Sequence, residues 1–216
     1  MPGAFISESV LGRAPQIGDR VSIRAPHEAL DAQPGYYFVF GEVLDELADQ
    51  LSLLRLYFHC DPESAMRLVG DLSGALNSFQ VPFQLKTPAC PEGYGRTDAA
   101  VLYIGARYFG ITARIVAEVC RTLRLEPDVP LFTKQLWPGI GAAVEPGSGE
   151  SFGEHRCRLA AEGIVDAWRQ GRADVTAKLL AVAGRFAAAG LDLARPYLGP
   201  DGVEFFDLPS APRLPS

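Results

Sequence analysis

The segment from Leu131 to Gly171 changes character twice, and each change restricts the fold. It opens on a short apolar run that carries Lys134. It then passes through a loop rich in Pro and Gly and enters a helix with a well-marked start. Ser151 is a good N-cap, and Glu154 three residues on completes a Ser-Phe-Gly-Glu capping box. The first turn carries His155, Arg156 and Arg158. Free N–H groups at a helix N-terminus already favour an anion. A histidine and two arginines there fit a phosphate site, and they equally fit a capped, solvated surface helix. The segment alone leaves both readings open.

Around this helix the chain reads as strands first and helices later. Arg20–Arg24 alternates like a short strand. Tyr36–Glu42 is aromatic and β-branched, and Leu53–Cys60 is a second strand stopped by Asp61-Pro62. Alternation puts Leu54, Leu56 and Phe58 on one face of that strand and Arg55, Tyr57 and His59 on the other. The polar, aromatic face suits a substrate or a solvent-facing edge. Pro62–Phe79 reads as a helix, with Pro62 in its first turn and Ala65, Met66, Val69, Leu72 and Leu76 at helical spacing. Val81–Lys86 reads as a strand with Lys86 at its end. A Pro/Gly-rich loop, Thr87–Gly95, then leads to Tyr94-Gly-Arg96-Thr-Asp98. Ala99–Ile104 is a buried-type strand, Arg107–Arg124 a helix, and Leu131–Lys134 a short strand. Two helices follow at 152–170 and 173–189, split at Gly171. The order implies a single α+β domain, an antiparallel or mixed sheet with helices packed against it. Residues 1–34 read as a partly ordered N-terminal segment, 35–195 as the domain, and 196–216 as a Pro/Gly-rich tail over its surface.

The composition narrows the function. The 216 residues carry a net charge of −6, which argues against a broad nucleic-acid or anionic-membrane surface. The four cysteines are far apart and form no CxxC pair, so neither a zinc site nor a disulfide framework is expected. No signal peptide or membrane-length apolar run is read, and the expected compartment is the cytoplasm. Phosphate-loop, nucleophile-elbow and HExxH motifs are absent. Only three of the 20 basic residues are lysines: Lys86, Lys134 and Lys178. Lys can lose its proton when desolvated and Arg cannot, so a lysine in an arginine-using chain marks a possible base.

Four places put charged groups at strand ends or a helix start: Arg55 with His59, Lys86, the Tyr94–Arg96–Asp98 loop, and Lys134 with the His155–Arg156–Arg158 turn. Brought together they would hold many cations and few carboxylates. That is a poor hard-metal or glycosidase site, and no metal or other cofactor is expected. It suits a phosphate ester, because arginine forks match phosphate oxygens in pairs. A lysine held among arginines has its pKa lowered toward neutrality. Base, proton donor and clamp together suggest β-elimination of phosphate from phosphoserine or phosphothreonine.

The runs Leu56-Tyr-Phe-His-Cys-Asp-Pro62, Pro82-Phe-Gln-Leu-Lys86, Tyr94-Gly-Arg96-Thr-Asp98 with Val101-Leu-Tyr103, Phe132-Thr-Lys134 and Gly149–Arg158 resemble the HopA-type effector family over roughly residues 35–170. Its stand-alone bacterial relatives resemble phosphothreonine lyases and occur in class V lanthipeptide and thioamitide biosynthesis. The resemblance implies a lyase that eliminates phosphate from a precursor peptide already phosphorylated by a kinase-like protein, leaving dehydroalanine or dehydrobutyrine. It implies a lysine as base and a histidine as acid; Lys86, at the end of a strand and so rigidly held, is assigned as base, with Lys134 the alternative, and His155 as acid. Arg96, Arg156 and Lys134, with Arg55, would bind phosphate, and Asp98, His59 and Tyr94 would support them. His59 stands where the family more often has a small polar amide, so a second histidine could share the acid role. The expected partners are the phosphorylated precursor peptide and the kinase-like protein, in a complex, with neither nucleic acid nor membrane. Two other readings remain open: a non-catalytic module that binds phosphopeptide or scaffolds the kinase, and a secreted effector.

Overall fold

The computed structural model describes residues 5–9, 17, 21–24, 26–30, 32–147 and 149–206. Two short strands, β1 (Phe5–Ser9) and β2 (Val21–Arg24), pair with each other. The main sheet is built from β3 (Glu28–Ala29), β4 (Tyr36–Phe40), β5 (Leu53–Phe58), β6 (Gln84–Pro88), β7 (Ala100–Gly105), β8 (Lys134–Trp137) and β9 (Ile140–Val144). Their order is β3-β4-β6-β7-β5-β9-β8, and every pairing is antiparallel. The helices are α1 (Leu47–Leu51), α2 (Pro62–Ser78), α3 (Phe109–Val119), α4 (Phe152–Arg169) and α5 (Val175–Ala188). The fold is thus the expected single α+β domain.

Register decides which residues share a face, because directly paired side chains point the same way and neighbours along a strand point oppositely. One row across the sheet is Leu85–Leu102–Leu56–Ala142–Lys134. The next is Lys86–Val101–Tyr57–Gly141. The first row faces α2 and α3. Leu54, Leu56, Leu85 and Leu102 are buried there against Leu68, Leu72 and Leu76 of α2 and Val116 of α3. On the other face Phe152, the first residue of α4, packs on Tyr57, Val101 and Ala143. Leu159, Val182 and Phe186 join α4 to α5. A Cβ on Gly163 would lie 2.5 Å from the Val182 Cα, so the two helices close only because this residue has no side chain. The molecule is therefore three layers, with the sheet between two helix pairs.

Local sequence explains the helix starts. Asp61 caps α2 by accepting from the Ser64 N–H at 2.7 Å, with Pro62 in the first turn. Ser151 and Glu154 form the capping box anticipated for α4. Asp174 caps α5 after Gly171, whose φ of +70° turns the chain out of α4.

Four expectations need correction. Lys86 lies in the middle of β6, because pairing with β4 runs on through Pro88. Leu131–Thr133 is not strand; β8 starts at Lys134 and turns at Pro138-Gly139 into β9. β9 takes the place of the expected loop. Ile140 to Ala143 are all buried, so this strand is covered on both sides and shows no alternation to read. Gly139, at φ +75°, is required at the turn: a Cβ would lie 2.4 Å from the Glu126 carbonyl. The helix expected at Arg107–Arg124 is α only over Phe109–Val119, with single 3-10 turns at both ends. The short helix α1 was not anticipated. Most of the N-terminal segment before residue 21 and the tail beyond residue 206 lie outside the described residues. Within the described residues, no helix is long and apolar enough to cross a membrane.

Candidate active site

A cavity of about 410 Å³ opens between the Lys86 face of the sheet and the start of α4. Its floor is Val101, with Lys86 on one side in the same register row and Tyr57 on the other. Arg55 and Tyr103 line it from the adjacent row. Gln33, Tyr36 and the Arg96–Asp98 loop close one end, and residues 151–154 form the roof. The N–H groups of Phe152 and Gly153 there have no acceptor within the helix, so the roof carries partial positive charge.

The half-buried Lys86 ammonium donates to Gln33 Oε1 at 2.7 Å and lies 3.7 Å over the Tyr36 ring. Burial, then the Arg55 and Arg96 charges, hold its pKa below the ordinary lysine value. Arg55 pairs through Nε with Glu145 and stacks 5.0 Å from the Tyr103 ring centroid. Its terminal amino groups have no hydrogen-bond partner among the described residues. Arg96 forks onto Asp98 at 2.5 and 2.8 Å and donates to the Tyr36 hydroxyl at 2.8 Å. The Tyr57 side chain is buried, at 4 % exposure; its hydroxyl makes no hydrogen bond among the described residues, and the Arg55 guanidinium is the cation beside it. Burial pushes the Tyr57 pKa well above the usual phenol range, so it keeps its proton.

The other anticipated residues lie elsewhere. Lys134 belongs to the opposite register row, four strands from Lys86, or about 19 Å at ordinary strand spacing. Its ammonium donates to Glu204 at 3.0 Å and sits over the rings of Tyr197 and Phe206. Arg156 is 1 % exposed and donates to the carbonyls of Pro196 and Leu198 at 2.8 and 3.0 Å. It pins the tail beneath α4 and lies outside the cavity lining. The sequence carried the warning, since position 156 falls on the same helical stripe as Phe152, Leu159 and Gly163. His155 also lies outside the lining. Arg156 donates to its Nδ1 at 2.5 Å. A guanidinium can only donate, so that ring nitrogen carries a lone pair and the imidazole is neutral. Burial, then Arg156 and Arg158, lower the His155 pKa, which agrees. His59 Nδ1 lies 3.2 Å from the Asp128 carbonyl oxygen. Tyr94 donates to the Pro88 carbonyl and lines a separate apolar hollow beside α2. The structure thus brings together Lys86, Arg55, Arg96 and Asp98, and leaves out Lys134, His155, Arg156, His59 and Tyr94.

The sequence model of the HopA1 effector protein family matches residues 28–198, from the first strand of the main sheet to the segment held by Arg156. The chain belongs to the HopA1 effector family. Solved structures share its fold, two effector proteins among them. An effector protein from Pseudomonas syringae pv. tomato strain DC3000 superposes with a TM-score of 0.57 at 19% identity, covering 78% of this chain and 66% of that one. An effector protein from Pseudomonas syringae pv. syringae strain 61 gives 0.54 at 18%, with the same coverages. This HopA1-family chain therefore spans just under two thirds of the length of those effectors. No curated protein matches it.

Three tyrosines of the cavity, Tyr36, Tyr57 and Tyr103, carried no site role in the sequence reading. Tyr57 had a signal in its place beside Arg55 on the polar face of β5, and Tyr103 in the Val101-Leu-Tyr103 run.

Proposed function

We propose that this HopA1-family protein is a phosphoserine/phosphothreonine lyase that converts a phosphorylated ribosomal precursor peptide to its dehydroalanine or dehydrobutyrine form. A kinase-like partner would supply the phosphate. One observation carries the reading: a lysine of lowered pKa faces the same anion-favouring cavity as Arg55, Arg96 and the α4 N-terminus. Neutral Lys86 Nζ takes the Cα proton of the phosphorylated residue. The C–H electrons form the Cα=Cβ bond and the Cβ–O bond breaks. Arg55 and the α4 N–H groups receive the phosphate oxygens, and Arg96 can turn part of its fork from Asp98 to the same anion. Lys134 and Arg156 have no part in this chemistry.

The test is to mix the protein with a synthetic phosphothreonine peptide and follow product mass. Loss of phosphoric acid, abolished in Lys86→Ala, supports the reading. Tight binding with an unchanged peptide would make the protein a phosphopeptide-binding module instead.

A further inference from the structure

We infer that Tyr57 is the proton donor of the elimination, protonating the bridging oxygen as the Cβ–O bond breaks. The inference rests on the lyase reading above and adds the acid that reading lacks. Lys86, Val101 and Tyr57 occupy one register row on adjacent strands, so base and phenol stand two strand spacings apart, about 10 Å, across a small floor residue. A phosphorylated side chain over Val101 would have the amine on one side and the hydroxyl on the other. The Tyr57 hydroxyl is buried beside Arg55 and makes no hydrogen bond among the described residues. A buried hydroxyl left unpaired is unfavourable, and an arriving oxygen would relieve that. The other tyrosines are placed differently. Tyr36 lies under the Lys86 ammonium, on the base's own side, and its oxygen already accepts from Arg96. Tyr103 is one row away, against Arg55. His155 is neutral and outside the lining.

The step balances. The Cα proton moves to Lys86 Nζ, and its bonding pair becomes the Cα=Cβ π bond. The Cβ–O pair stays on the bridging oxygen, which takes the Tyr57 proton and leaves as hydrogen phosphate. The tyrosinate left beside Arg55 recovers a proton through water as Lys86 sheds the one it took. No oxidant, reductant or additional reactant is consumed.

The experiment compares two peptides of one sequence, one with phosphoserine and one with S-phosphocysteine. The bridging sulfur of the second leaves without needing a proton. Tyr57→Phe removes only an unbonded hydroxyl and keeps the ring packed on Phe152, and a melting curve checks that the fold survives. On phosphoserine the variant should lose about 100-fold or more in kcat, with KM within about threefold of wild type. On S-phosphocysteine it should run near the wild-type rate. Equal losses on both peptides would make Tyr57 a structural residue, and no loss on either would place the donor elsewhere; each overturns the assignment. A wild-type protein that eliminates from neither peptide would overturn the lyase reading itself.

Discussion

The two faces of the central sheet come from the same strands and follow opposite rules. On the α2/α3 side, Leu54, Leu56, Leu85 and Leu102 are almost fully buried and leave no room for chemistry. On the α4/α5 side, Arg55, Tyr57, Lys86 and Tyr103 alternate with them residue by residue. There Phe152 of the covering helix packs on the sheet and a cavity opens beside it. The two lysines make the difference concrete. Lys86 sits among arginines with its proton loosened, whereas Lys134 is neutralised by Glu204 at the end of the other face's row. One face supplies the stability that holds the other face's charged groups close together.

The largest expected effect that could break this comparison is at Lys86, the proposed base. Lys86→Ala should lower kcat on a phosphopeptide by about 10²–10⁴-fold, or about 3–5 kcal/mol of barrier, with the fold intact. The pH dependence shares its cause. A lysine must lose a proton to act as base, so kcat/KM should rise with pH through a value below that of an ordinary lysine. A rate that falls across the same range would exclude Lys86 from that role. Next comes Leu56→Ala on the packed face. It should cost about 2–5 kcal/mol in denaturant unfolding and leave the KM of the remaining native protein unchanged. Arg156→Ala sharpens the contrast on the cavity side, where not every cation serves chemistry. It strips two carbonyls of their donor and should cost about 1–3 kcal/mol in stability, with little change in phosphopeptide affinity. Lys134→Ala should be smallest, at most about 1 kcal/mol by urea titration and no measurable change in kcat, because its ion pair is about one-third exposed.

Strand alternation made much of this readable from the residues. The division of β5 into Leu54, Leu56, Phe58 against Arg55 and Tyr57 was legible because each face meets a different environment. The capping box of α4 was legible because its bonds are local. β9 was not, because a strand of small residues buried on both faces carries no period. Lys134 was misplaced for a related reason: which face a residue takes depends on register across five strands, and no local pattern encodes that. Arg156 and His155 looked like a phosphate grip because charge type suggests function, while their partners, a tail 40 residues on and each other, appear only in the fold.

The most direct test of a cavity-side site is a crystal structure of Lys86→Ala with an uncleaved phosphothreonine peptide. The phosphate should lie over Val101, its oxygens within hydrogen-bond reach of Arg55 and the first turn of α4. A phosphate bound instead beside Lys134 and Glu204, on the opposite face, would contradict it.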